Sequence, residues 1–178
     1  VKAAKEGGFN GTFYTFYGNA LGAPKAMGEA GVGNVLAVAE WFPNQGGVAS
    51  DAFYKQFLTR FPDPAQDYMH MRKQWMMQSL GAALNTVGAH AKGPDIDAYA
   101  LALALEQSKG VIGGHEAAMR AADHQLQQPL AVAQMERQGS AGTPFGVEGS
   151  GFGFKVVHRL TAAEASLPTT CQMQRPGS

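Results

Sequence analysis

The chain has 178 residues, 45% of them hydrophobic, and its 14 basic and 14 acidic residues give a formal net charge of zero. That length is enough for the core of one ordinary domain, and the even charge argues against nucleic-acid binding, which normally needs a basic face or stripe. No apolar run approaches the ~18 residues that a membrane-spanning helix requires.

The first part of the chain predicts a βαβ unit. Residues 1–6 have helix-forming composition without an N-cap and end in a Gly-Gly pair, so we expect the chain to start in the middle of an element. Residues 11–17 are aromatic and β-branched and predict a strand, residues 23–30 predict a helix, and the apolar residues 34–41 predict a strand covered on both faces. A strand, a helix and a strand at this spacing indicate a parallel sheet.

Three helices are predicted next, without a strand between them. Residues 43–48 are rich in Pro, Asn and Gly and predict a connector, after which Ser50 and Asp51 predict a helix cap. A long helix is expected over residues 67–87, and Asp95 is expected to open a third helix that runs to about residue 107.

The last third of the chain predicts several strands. Residues 116–121, 130–135 and 151–158 have strand composition, and residues 138–149 form a loop rich in Gly, Ser and Pro between the last two. The tetrapeptide Thr161-Ala-Ala-Glu164 matches a capping box and predicts a short helix. Taken in order, these elements predict an α/β fold.

The sequence contains no pattern typical of an enzyme or of a cofactor site. Asp123 and His124 are adjacent, but neighbours in sequence seldom share one hydrogen-bonded geometry, and no Gly-x-Ser-x-Gly nucleophile motif occurs. The five His residues and the single Cys171 lack metal-ligand spacing. Cys171 is either a free thiol without a role or the partner of a cysteine elsewhere. We therefore expect no catalysis, no cofactor and no metal.

Two runs near the end of the chain carry the most specific information. They are Met-Arg-Ala-Ala-Asp-His-Gln-Leu-Gln-Gln-Pro-Leu-Ala-Val at residues 119–132 and Pro-Thr-Thr-Cys-Gln-Met at residues 168–173. They follow a strand of the type Phe-Tyr-Thr-Phe-Tyr, an apolar strand that ends in Trp-Phe-Pro-Asn, and a Phe-rich helix that ends in Arg-Phe-Pro. In this order, and over essentially the whole chain, the sequence resembles the C-terminal half of a type I periplasmic substrate-binding protein. The resemblance is to the branched-chain amino acid transport class, which includes leucine/isoleucine/valine-binding proteins.

The resemblance implies portions of two doubly wound parallel-sheet lobes joined by hinge crossovers. By order of elements the division is residues 1–42 in the C-terminal lobe, 43–49 as a crossover, 50–122 in the N-terminal lobe, 123–129 as a second crossover, and 130–178 in the C-terminal lobe with the tail. Neither lobe would be complete, and strands without their neighbours leave open sheet edges. We expect a missing N-terminal half, or a swapped second copy, to complete them.

The resemblance also implies a function without chemistry. Such a protein is the extracytoplasmic solute-binding component of an ABC importer. It would bind a small amino acid or an aromatic or aliphatic carboxylate between two closing lobes and deliver it to a membrane permease. The expected location is the periplasm, and no signal peptide is visible in this chain. The alternative is a ligand-sensing effector domain of a regulator or receptor with the same fold.

Five residues are candidates for ligand contact under this resemblance. Tyr17 follows the first strand, where the family supplies a ligand-contacting residue that is often acidic, and a Tyr there favours an aromatic or otherwise apolar acid. At the start of the long helix, Tyr68 would stack on a ligand and Arg72 would clamp a carboxylate, with His70 between them. Trp41 closes the second strand and would line the cleft. The alternatives are that Tyr17 packs between lobes, that Tyr68 and Trp41 belong to the core, and that Arg72 is solvated or paired with Asp67.

Overall fold

A computed structural model describes residues 1–64, 67, 71–88, 96–112 and 115–175 of the chain. Its elements in chain order are helix α1 (Lys2–Glu6), strand β1 (Phe13–Phe16), helix α2 (Ala23–Met27), a 3₁₀ turn (Gly28–Gly31), β2 (Val35–Ala39), α3 (Val48–Arg60), α4 (Met71–Gly88), α5 (Ala98–Glu106), β3 (Lys109–Ile112), β4 (His115–Arg120), β5 (Gln125–Gln127), β6 (Leu130–Arg137), β7 (Phe152–Leu160) and α6 (Ala162–Ala165). This mixture confirms the predicted α/β class. Within the described part of the chain, no helix combines the length and the apolar composition that crossing a membrane requires.

The chain divides into two compact units. The first unit comprises Val1–Met71 and Leu130–Arg159, and the second comprises Arg72–Pro129 and Leu160–Ser178. α3 belongs to the first unit and the C-terminal segment from Leu160 to the second. Contacts that the sequence did not predict hold both segments, as described below. The lobes and crossovers themselves stay predictions.

The sheet of the first unit has the strand order β1-β2-β6-β7. β1 and β2 pair in parallel, from Phe13 opposite Val35 to Phe16 opposite Val38, as expected for a βαβ unit. β6 runs antiparallel to β2, with Ala131 opposite Ala39. Because β6 enters the sheet beside the carboxyl end of β2, it must run in the opposite direction. The sheet is therefore mixed rather than parallel throughout.

The core of the first unit lies on one face of this sheet. Val35, Ala37 and Ala39 of β2 are at most 7% exposed, whereas the alternate positions of β2 are half-buried, so the strand is not fully covered on both faces. On β1, the side chains of Tyr14 and Phe16 are 73% and 77% exposed. β1 lies at the end of the sheet, so this strand leaves an open edge and an exposed aromatic face.

Helix α3 begins earlier than the sequence predicted and without a side-chain cap. It starts at Val48 after Gly47, and Ser50 lies inside the helix. The Ser50 hydroxyl is buried and accepts a hydrogen bond of 2.9 Å from the indole N–H of Trp41. The predicted cap is therefore wrong, because the Ser50 hydroxyl binds a tertiary partner instead of the helix backbone.

Both of the next predicted helices are present with later starts. α4 begins at Met71, and Asp67 precedes it as a buried residue. α5 begins at Ala98, where the Asp97 carboxylate caps the helix by accepting a hydrogen bond of 2.8 Å from the Tyr99 N–H. The start predicted at Asp95 lies outside the described residues.

The second unit contains an antiparallel sheet with the strand order β3-β4-β5. Of these three strands, the sequence predicted only β4. β3 has four residues, one of them Gly110, and β5 has three residues inside the segment predicted as a crossover. Asp123 and His124 lie in the turn between β4 and β5. The predicted capping box is confirmed: the Thr161 hydroxyl accepts from the N–H of Glu164, and the Glu164 carboxylate accepts in return.

An ion pair with α5 and a hydrogen bond from β4 attach the C-terminal tail (residues 166–175) to the second unit. Arg120 donates to both carboxylate oxygens of Asp123, at 2.8 and 2.5 Å, and to the backbone oxygen of Leu167 at 2.8 Å. Glu106 lies 2.5 Å from Arg175 and 2.6 Å from the His124 ring. The hydrogen bond from Arg120 holds the pKa of Asp123 well below its usual range, and those from Arg175 and His124 lower the pKa of Glu106. Both carboxylates are therefore ionised near neutral pH and can pair with Arg120 and Arg175.

The substitution Glu106→Gln is expected to loosen the C-terminal tail, because the amide keeps the size of the side chain but loses the charge that pairs with Arg175. In the full-length protein, amide hydrogen exchange measured by mass spectrometry should become faster in residues 167–175. The matched control is Glu116→Gln, at an exposed glutamate of the same unit. Unchanged exchange of the tail in Glu106→Gln would contradict this assignment.

Candidate functional site

The parallel pairing of β1 and β2 brings two carboxyl ends of strands to the same edge of the sheet. Ligands of open α/β sheets bind outside the carboxyl ends of the strands. At this edge, residues 17–22 follow β1 and form what we call the β1 loop, and Glu40 and Trp41 follow β2. The β1 loop is therefore the candidate functional site.

Tyr17 opens the β1 loop in an unusual backbone conformation. Its φ is 59°, and its side chain is 46% exposed. Leu21, further along the loop, has a φ of 58°. A residue with a side chain in this left-handed region costs about 1–3 kcal/mol and persists only where its surroundings hold it there. Between them, Gly18 has no room for a side chain, since a Cβ there would lie 2.9 Å from the Thr15 Cβ and closer still to its hydroxyl.

Trp41 lies beneath this edge rather than on it. Its side chain is 1% exposed, and its ring packs edge-on to Phe53 at 5.6 Å and against Tyr54 at 5.7 Å. Its indole N–H donates to Ser50. This arrangement favours the interpretation in which Trp41 belongs to the core over the one in which it lines the cleft.

The side chains of the other three predicted residues lie outside the described part of the chain. Tyr68 and His70 lie outside the described residues. Arg72 lies in the first turn of α4, in the second unit, and its side chain is outside the described part of the chain. Their ligand contacts, like that of Tyr17, stay predictions.

Glu148 is the residue at this site that the sequence did not reveal. Its two carboxylate oxygens accept hydrogen bonds from the backbone N–H groups of Leu21, at 2.5 Å, and of Gly22, at 2.8 Å. Glu148 lies in the predicted loop of residues 138–149, where nothing but the presence of one acidic residue among Gly, Ser and Pro marks it. Its partners are 127 and 126 positions away along the chain, so no local pattern could have indicated them.

A buried carboxylate fixes the backbone of Glu148. Asp67 is 7% exposed and accepts from the Glu148 N–H at 2.7 Å. The Tyr54 hydroxyl lies 3.0 and 2.9 Å from the two Asp67 oxygens and 3.1 Å from the Gly146 carbonyl oxygen. Burial raises the pKa of Asp67, and burial together with the charge of Asp67 raises the pKa of Tyr54. Hydrogen bonds thus connect the core to the β1 loop through these three side chains.

Among the described residues, no group of three or more His, Cys, Asp or Glu side chains is placed to hold a metal ion. The Glu148 carboxylate binds backbone amides, and His124 pairs with Glu106 rather than with a nucleophile. The arrangement at the β1 loop supplies a phenol, apolar side chains and backbone groups, which are suited to binding.

The substitution Asp67→Asn should reduce the free energy of unfolding most at low pH. Because the folded-state pKa of Asp67 is raised above 3.8, its contribution to stability is largest below that pH and is lost as the pH rises through the raised value. Urea denaturation of the full-length protein should therefore show a deficit of about 1–3 kcal/mol near pH 4 that shrinks towards pH 7. Glu6→Gln, at an exposed position, is the control. A deficit that is constant or grows with pH would contradict this expectation.

Comparison with known proteins identifies the family. The family model described as "Periplasmic binding protein" matches residues 1–142. "Leu/Ile/Val-binding protein homolog 4" of Brucella abortus (strain 2308) is 28% identical over 185 aligned residues, which cover 99% of this chain and 41% of that protein. The same-named protein of Brucella suis biovar 1 (strain 1330) gives the same values. The chain thus spans less than half the length of these curated relatives.

Two solved structures share the fold. The leucine-, isoleucine-, valine-, threonine-, and alanine-binding protein from Brucella ovis, in a closed conformation, superposes with a TM-score of 0.77 at 24% identity, covering 98% of this chain and 43% of that one. An ABC transporter substrate-binding protein from Sphaerobacter thermophilus superposes with a TM-score of 0.58 at 14% identity, covering 90% of this chain and 47% of that one. At these identities the likeness concerns the fold.

These matches confirm the resemblance predicted from the sequence, and the family is one of binding proteins, which agrees with the prediction that the chain carries no enzymatic function. The family model covers residues 1–142 of the 178 in the chain, well over half of it. The chain belongs to the periplasmic binding protein family.

Proposed function

We propose that this chain is part of the extracytoplasmic solute-binding component of an ABC importer, and that it binds a small amino acid or another small carboxylate between two lobes. The observation that carries the proposal is Tyr17, which is held half-exposed and in a strained conformation at the carboxyl end of a parallel strand pair. Family membership supports it, as do the names of the relatives, which describe binding of leucine, isoleucine and valine.

The chemistry of the β1 loop favours a ligand that presents an apolar group to it. The loop sequence, Tyr-Gly-Asn-Ala-Leu-Gly, contains no charged side chain, and Leu21 is 68% exposed beside the half-exposed Tyr17. Glu148 directs its carboxylate at backbone amides, so it does not replace the acidic ligand contact that the family resemblance implies at the position of Tyr17. A phenol can donate a hydrogen bond to a carboxylate and stack on an aromatic or aliphatic group.

Ligand binding would work by closure. In the proposed mechanism, residues 43–49 and 123–129 act as hinges, and the ligand stabilises the closed state through contacts to both lobes. Tyr68, His70 and Arg72 are the proposed contacts from the other lobe. The remaining parts of both lobes would come from the rest of a longer chain, or from a second copy that swaps segments, and would cover the exposed Tyr14 and Phe16 face.

The proposed partner is a membrane permease, and the proposed location is the periplasm. A ligand-sensing effector domain of a regulator is the second candidate, because the same fold serves both roles. Cell fractionation separates the two proposals: the importer component is expected in the periplasmic fraction, whereas recovery with the cytoplasm, or a helix-turn-helix encoded upstream of Val1, would favour the regulator.

Isothermal titration of the full-length protein tests the ligand class directly. We expect saturable binding of at least one probe from L-leucine, L-isoleucine, L-valine, L-threonine, L-alanine and benzoate. Tyr17→Ala should weaken that binding by at least about tenfold, because it removes an aromatic contact and a hydrogen-bond donor. Tyr17→Phe removes only the hydroxyl, so its affinity should distinguish the contribution of the hydroxyl from that of the ring.

Tyr14→Phe is the matched control, since it removes the same hydroxyl from β1, outside the β1 loop. Binding of none of the probes by the wild-type protein would refute the proposed ligand class. Equal affinity in Tyr17→Ala and wild type would instead remove Tyr17 from the site while leaving the ligand class intact.

A further inference from the structure

Glu148 connects two parts of the first unit that are far apart in sequence. Both of its carboxylate oxygens accept hydrogen bonds from the β1 loop, at the consecutive N–H groups of Leu21 and Gly22. A carboxylate that binds two backbone amides makes charge-assisted hydrogen bonds, which are stronger than neutral ones. Such a pair of bonds fixes the position of the loop backbone as well as its conformation.

Backbone strain is concentrated at this connection. Among the described residues, four residues other than glycine have a positive φ, and three of them are Tyr17, Leu21 and Glu148, with values of 59°, 58° and 53°. Each costs free energy that other contacts must offset, and strained residues of this kind cluster at functional sites. The two hydrogen bonds from Glu148 are contacts that can hold Leu21, and with it the loop that begins at Tyr17, in this conformation.

Glu148 is itself held from the core. Its N–H donates to the buried Asp67 carboxylate, which in turn accepts from Tyr54. The preceding residue, Val147, is 4% exposed and belongs to the hydrophobic core. The carboxylate of Glu148 is therefore presented to the β1 loop from a fixed base.

We propose that Glu148 is a positioning residue for ligand recognition, whose carboxylate sets the β1 loop so that Tyr17 faces the ligand. This inference rests on the proposed function, in which Tyr17 contacts the ligand. Both oxygens of Glu148 are already engaged by backbone amides, so Glu148 acts through the loop and not by touching the ligand. Loss of the Glu148 carboxylate should therefore lower the affinity for every ligand that contacts Tyr17 by a similar factor. Loss of a residue that touches the ligand would instead change the order of preference among ligands.

The test uses the full-length protein with the substitutions Glu148→Gln and Glu148→Asn. Gln keeps the length of the side chain but replaces one accepting oxygen by an amide that donates, so one loop N–H loses its partner. Asn tolerates a positive φ better than most residues and cannot reach the loop, so it removes the bonds without adding strain. The matched control is Glu29→Gln, which breaks an exposed ion pair with Arg137 in the same unit.

The first readout needs no ligand. Hydrogen exchange, followed by NMR, should accelerate by about tenfold or more at the Leu21 and Gly22 amides in Glu148→Asn and at one or both of them in Glu148→Gln, the factor expected for one lost charge-assisted hydrogen bond. It should stay at the wild-type rate in Glu29→Gln. Unchanged exchange at both amides in the Glu148 variants would overturn the proposal, whatever the protein binds.

The second readout is affinity, measured by titration with L-leucine and with benzoate. Glu148→Gln should lower the affinity for each probe that the wild type binds by about tenfold, with a similar factor for every such probe. In the Tyr17→Ala background it should have little further effect, because both substitutions remove the same contact between Tyr17 and the ligand. Additive effects, or a change of preference between the probes, would overturn the positioning role. If the wild type binds neither probe, the ligand class of the proposed function fails, and the exchange measurement alone decides whether Glu148 sets the loop.

Discussion

The hydrogen bonds that the buried Asp67 carboxylate accepts determine the arrangement of the first unit. The carboxylate is 7% exposed, and removing such a group from water is costly unless donors replace the water. Tyr54, from α3, and the Glu148 N–H supply those donors. Because the carboxylate comes from the segment before α4, and its donors come from α3 and from the loop after β6, satisfying it fixes three separate parts of the chain.

The same constraint explains why α3 belongs to the first unit. Trp41, at the end of β2, packs against Phe53 and Tyr54 and donates to the Ser50 hydroxyl. These contacts bury one face of the helix beside the carboxyl edge of the sheet. A Ser that would otherwise cap a helix is used as a tertiary acceptor, since a buried indole N–H needs a partner.

Local patterns predicted the elements that depend on local interactions, and they missed those that do not. The unit formed by β1, α2 and β2 and the capping box at Thr161 were predicted because their signals lie within a few residues of each other. The rule that ligands bind at the carboxyl ends of strands placed Tyr17 at the candidate site. Asp67 and Glu148 could not be predicted, because their partners lie up to 127 positions away in sequence.

In the run of residues 119–132, which carried the most specific resemblance, the side chains of Asp123 and His124 form structural contacts. Asp123 and His124 are neighbours, but Asp123 pairs with Arg120 and His124 with Glu106, which also binds Arg175 of the tail. Each side chain is directed to a different partner, so the two form no acid–base pair. The specificity of this run therefore reflects a turn and the attachment of the tail, and the candidate site lies in the other unit. Under the proposed function, a loop that Glu148 fixes before the ligand arrives would lose little conformational entropy on binding, and this is how a short segment without charged side chains would contribute to affinity.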